Sequence, residues 1–92
     1  MTAPLDLEEL RRDIDAVDQQ ILKLLHARVE LVVKVGKYKR ERDLQIYDPK
    51  REREMLERLS GNPEAPLDRE FIVNVFQRII DESRRIEQHR VE

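Results

Sequence analysis

From Leu7 to Tyr38 the chain sets apolar residues at alternating spacings of three and four: Leu7, Leu10, Ile14, Val17, Ile21 and Leu24, then Leu31, Val35 and Tyr38. A strand brings every second residue to one face, so this period has a common face only on an α-helix. No proline interrupts it between Pro4 and Pro49, Asp6 offers an N-cap with Glu9 three residues on, and the polar stretch Arg40 to Gln45 ends it. The spacing predicts a first helix from about residue 7 to about residue 41. Asp48-Pro49 then joins a capping carboxylate to a first-turn proline, and Glu52, Met55, Leu56 and Leu59 recur at helical spacing until Ser60-Gly61-Asn62-Pro63. After Pro66, Asp68 can cap a third helix with the stripe Ile72, Val75, Phe76, Ile79, Ile80 and Ile86, ending near His89. Nothing alternates like a half-buried strand, so the expected fold class is all-α, with one long, one short and one medium helix.

The length of 92 residues gives room for one small core, and a single domain over 1–92 is expected. A first helix of that span would be roughly 50 Å long, against roughly 17 and 30 Å for the other two. It outreaches them. Left in water, its seam would cost about 25 cal/mol for each Å² of apolar surface. A second copy removes that cost, so the chain reads as an intertwined helical homodimer with the first helix as its spine.

Composition narrows the function. With 18 Lys and Arg against 20 Asp and Glu the net charge is −2, which argues against a general nucleic-acid binder. There is no cysteine, and His26 and His89 lie far apart, so no metal site is expected. No apolar run approaches the ~18 residues of a membrane span, and the first ten residues lack the apolar core of a leader, so a cytoplasmic location without membrane contact is expected.

Charges interrupt the seam where apolar residues are due. Arg28 stands where the spacing after Leu24 calls for a hydrophobe. An arginine there either snorkels to the edge, pairs with an acid such as Glu30 or Asp18, or lines a polar pocket. Ser83 falls between Ile79 and Ile86 in the third helix, with Glu87 one turn further on the same face; such a serine commonly bonds a backbone carbonyl. Lys39 follows Arg28 by eleven residues, which brings it within about 20° of the same face and roughly 16 Å along the axis. The two could bracket one small anion, although Lys39 also belongs to a basic run, Lys34 to Arg42, that suits a solvated helix end. Arg11 lies roughly 25 Å before Arg28 and could join such a site only from a partner chain. Around the second helix, Asp48, Arg51 and Glu52 put two acids and an anion-binding group within about one turn, as a cap with surface ion pairs or as part of a site.

Taken in order, Leu10-Arg11-Arg12-Asp13-Ile14-Asp15-Ala16-Val17-Asp18, Leu24-Leu25-His26-Ala27-Arg28, Val35-Gly36-Lys37-Tyr38-Lys39, Asp48-Pro49-Lys50-Arg51-Glu52-Arg53-Glu54 and Phe76-Gln77-Arg78-Ile79-Ile80-Asp81-Glu82-Ser83 resemble the all-helical, AroQ-type chorismate mutases over nearly the whole chain. The resemblance implies an isomerase of aromatic amino acid biosynthesis that converts chorismate to prephenate by a Claisen rearrangement. Bonds are made and broken within the substrate, so no nucleophile, metal or redox cofactor is implied. The protein holds the flexible dianion in a compact conformer and stabilises charge on the breaking ether oxygen. By matching positions, Arg11 of the partner chain, Arg28 and Arg51 would cage the substrate carboxylates with help from Ser83. Lys39 would address a carboxylate and the ether oxygen, and Asp48 and Glu52 the ring hydroxyl.

One position departs from the common bacterial pattern, which has a glutamine one turn after the serine to donate to the ether oxygen. Here Glu87 stands there and Gln88 lies about 100° further round. A glutamate also occurs there in some relatives, and it makes protonation part of the reaction. Two rivals stand beside the mutase reading. An isochorismate pyruvate lyase would share fold and arginines but generally lacks the acids at Asp48 and Glu52, and a noncatalytic helical dimerisation or regulatory module would use the polar seam only to set register.

Overall fold

The computed structural model describes residues 6–89, which form three helices: α1 (Leu7–Glu41), α2 (Pro49–Ser60) and α3 (Arg69–His89). Among the described residues there is no strand, as the lack of alternation predicts. Each helix starts on the aspartate that the sequence marks. Asp6 Oδ1 accepts from the Glu8 backbone N–H at 3.0 Å, Asp48 Oδ1 from that of Arg51 at 3.1 Å, and Asp68 Oδ1 from that of Phe71 at 2.7 Å. Each bond satisfies one of the donors that a helix start leaves without a partner.

The helices stop in different ways. At the end of α1, Leu44 N–H donates to Lys39 C=O at 2.8 Å and Asp43 N–H to Arg40 C=O at 3.3 Å, while Asp43 takes φ 55°. This is a Schellman turn with aspartate in the left-handed position where glycine is usual. The α2 stop at Gly61 is right-handed, φ −70°, so that glycine is not needed for a left-handed cap. Ser60, beside it, is buried and donates its hydroxyl to Leu56 C=O at 2.6 Å.

By close packing the chain divides into two units, Met1–Glu30 and Leu31–Glu92. In the second, α2 and α3 pack together around Ile80, with Met55, Leu56, Ile72, Phe76, Ile79 and Ile86 half-buried. The seam residues of α1 are exposed in the single chain. From Leu7 to Tyr38 all nine keep at least 40% of their surface, Leu24 as much as 71%. Among the described residues no helix is long and apolar enough to cross a membrane.

Candidate active site

Two of the most buried residues of α3 are polar. Ile80, Ser83 and Glu87 form its buried stripe at spacings of three and four, so a hydroxyl and a carboxyl occupy positions that a plain core would give to hydrophobes. Ser83 donates its Oγ–H to Ile79 C=O at 2.6 Å, the backbone bond expected of a seam serine. Glu87 faces α1. Gln88, its neighbour, is exposed, which fixes Glu87 rather than Gln88 as the residue that points into the unit.

A glycine makes the approach possible. Gly36 is the buried residue of α1, and a Cβ placed there would stand 2.9 Å from Glu87 Cγ. One turn on, the Arg40 guanidinium donates to Glu87 C=O at 3.0 Å, tying the last turn of α3 to the last turn of α1. That carbonyl belongs to the helix end that has no partners within its own helix.

Lys39 lies opposite. Its Nζ is 4.0 Å from Glu87 Oε1, and the two side chains keep only 19% and 10% of their exposure, so Lys39 is no solvated helix end. Nζ also donates to Ile46 C=O at 2.9 Å, a bond made possible by the Schellman turn that folds residues 42–47 back beside it. Burial pushes the Glu87 carboxyl above its ordinary value of 4.5; the Lys39 and Arg40 charges pull it down and Glu52 pushes it up, with burial the largest cause. The balance between desolvation and cations, open in the sequence, therefore falls toward the protonated acid.

Glu52, from the first turn of α2, completes the group. Its Oε2 lies 3.6 Å from Arg84 Nη1, with the pair 18% and 26% exposed, so this is not a surface ion pair. Asp48 serves as the α2 cap, and Arg51 beside it is exposed. The second unit thus brings Lys39, Glu52 and Glu87 together, with Ser83 one turn before Glu87 on the same stripe. Arg11 and Arg28 belong to the first unit. Arg11 is exposed and pairs with Glu8 at 3.3 Å, Arg28 is half-buried, and Glu30 is engaged by His26 at 3.3 Å. Arg84 carries no sequence signal of a site role, and Arg40 stands in the sequence only as part of the basic run at the helix end. The Asp81–Arg84 spacing of three signals a helical pair, but nothing local signals that Arg84 also reaches α2 or that Arg40 reaches α3.

The chorismate mutase type II family model matches residues 10–88. The bifunctional chorismate mutase/prephenate dehydratase of Escherichia coli K12 is 43% identical over 84 residues, covering 90% of this chain and 22% of that protein. The chain spans about a fifth of the length of this and similar relatives. A chorismate mutase structure from Thermus thermophilus superposes with a TM-score of 0.88 at 36% identity, covering 94% of this chain and 98% of that one. A second, from Helicobacter pylori in complex with prephenate, gives a TM-score of 0.81 at 36% identity and covers 89% of each chain. Helix order, the buried Ser83 and Glu87 stripe and these matches agree: the chain belongs to the chorismate mutase type II family.

Proposed function

We propose that the chain catalyses the rearrangement of chorismate to prephenate. The observation that carries this reading is the pairing of Lys39 with a raised-pKa Glu87 across 4.0 Å. Two donors at that separation can both reach about 2.8 Å from one acceptor placed between them. An ammonium has three N–H donors, so the bond to Ile46 leaves Lys39 able to donate elsewhere, and a protonated Glu87 supplies one O–H. An ether oxygen that gains negative charge as its bond breaks is stabilised by such a pair, already oriented before the substrate arrives.

The other roles follow the same reading. Glu52 and Asp48 receive the ring hydroxyl, and Arg28, Arg51 and Ser83 hold the carboxylates with Arg11 of a second chain. The exposed α1 seam supports the homodimer that this last role needs. The prephenate complex of the H. pylori neighbour supports a small-molecule substrate of this class. The acids at Asp48 and Glu52, with Glu52 held by Arg84, favour the mutase over an isochorismate lyase.

Incubating the purified chain with chorismate, and separately with isochorismate, while following substrate absorbance tests the proposal. Loss of chorismate with formation of prephenate is expected. Pyruvate release from isochorismate alone would assign the lyase, and no turnover of either would assign the noncatalytic module.

A further inference from the structure

We propose that Arg84 is a positioning residue for this reaction: it holds Glu52 in place to receive the substrate hydroxyl and offsets the charge that Glu52 projects toward Glu87. The inference rests on the function proposed above. Its support is a set of contacts drawn from three segments. Arg84 Nη2 bonds Asp81 Oδ1 at 2.9 Å within α3, and the guanidinium carbon lies 4.6 Å from the centre of the Tyr47 ring in the segment before α2. Nη1 is then presented to Glu52 Oε2 on α2 at 3.6 Å.

A guanidinium is a planar fork with fixed donor directions, so anchoring one nitrogen on Asp81 and the face on Tyr47 fixes where the other nitrogen points. Glu52 is thereby held by a group whose own position is set by two neighbours. A carboxylate this far from water needs a cation beside it, and Arg84 is the cation in contact with it. The charges that act on Glu87 are those of Lys39 and Arg40 from α1 and Glu52 from α2; Arg84, three residues before Glu87 on its own helix, contacts Glu52. Without Arg84, the full charge of Glu52 would act on Glu87 and favour its protonated form.

The test is a coupled pair of substitutions. Arg84→Met keeps a stem to pack on Tyr47 and removes the charge. It is expected to raise KM for chorismate about tenfold, with kcat at acid pH within about twofold of wild type. The falling limb of its pH–rate profile should move to higher pH, and Arg84→Lys should recover part of both effects. In a Glu52→Gln background, Arg84→Met should change neither. A thermal midpoint that drops with KM and pH profile unchanged would make Arg84 merely structural and overturn the inference. A KM rise that persists unchanged in Glu52→Gln would overturn it as well. Should wild type fail to turn over chorismate, the functional proposal falls, and ¹³C NMR titration of the Glu87 carboxyl decides the role of Arg84 separately. An upward shift in Arg84→Met that vanishes with Glu52→Gln supports it, and no shift refutes it. If Arg84→Met does not fold, Arg84→Lys carries the same comparison.

Discussion

Lys39 Nζ and Glu87 Oε1 face each other across 4.0 Å between the last turns of α1 and α3, both largely shielded from water. Three features of the sequence produce that relationship. Gly36 lets Glu87 come close, Arg40 holds the Glu87 carbonyl, and the turn at Asp43 returns the chain so that Ile46 can accept from Lys39.

Gly36→Ala is the direct probe of this packing. Alanine is favoured over glycine inside a helix by about 1 kcal/mol, but its methyl would meet Glu87 Cγ at 2.9 Å. The two effects oppose each other in stability, whereas both the displacement and the reaction depend on Glu87. Turnover should fall by about tenfold or more, while the denaturation free energy changes by about 1 kcal/mol or less. Chorismate kinetics alongside urea unfolding checks the pair.

The same carboxyl ties folding to pH. Its folded pKa lies above its ordinary value of 4.5, so the native state binds the proton more tightly than the unfolded chain does. The stabilisation it gives is fully present below about 4.5 and is lost as pH rises through the folded value. Urea unfolding across that window should show wild type losing stability relative to Glu87→Gln, whose amide does not titrate.

Helix number, order and bounds were legible because caps and periods are local: Asp6, Asp48 and Asp68 each bond a backbone N–H two or three residues on. Lys39 and Glu87 were legible as candidates through their places in motifs and on a helix face. What the sequence could not decide was tertiary. The direction of the Glu87 shift depends on its burial, and Gly36, which leaves room for its side chain, lies far away in the chain. Arg84 was missed for the same reason, since its link to Glu52 joins α3 to α2 and leaves no periodic trace. The Asp43 turn carries no sequence signal, because aspartate stands where glycine is usual.

If the exposed α1 seam pairs two chains and Arg11 completes the partner's site, two inactive variants should complement each other. In an Arg11→Ala/Arg28→Ala heterodimer one of the two sites keeps both arginines. Random exchange between equal amounts should then restore about a quarter of wild-type activity. Activity after mixing, with exchange confirmed by mass spectrometry, is the measurement. No recovery would contradict the shared site.

Glu52→Ala should separate a substrate contact from a structural ion pair. Removing it takes away the hydroxyl acceptor and one of the causes that raise Glu87, so KM should rise and activity should fall off at lower pH than in wild type. A purely structural pair, shielded as this one is, would cost more stability than the about 1 kcal/mol of an exposed pair and leave the kinetics alone. Steady-state kinetics over a pH series distinguishes them.

The central claim is that a protonated Glu87 donates to the ether oxygen opposite Lys39. An ionised carboxylate only accepts hydrogen bonds and would oppose the charge that develops there. The most direct measurement is the pH dependence of chorismate turnover in wild type, Glu87→Gln and Glu87→Ala. The account predicts a wild-type rate that falls as pH rises through the Glu87 pKa in the complex, a Glu87→Gln rate that largely loses this fall, and a strongly impaired Glu87→Ala. A Glu87→Ala variant as active as wild type at every pH would contradict it.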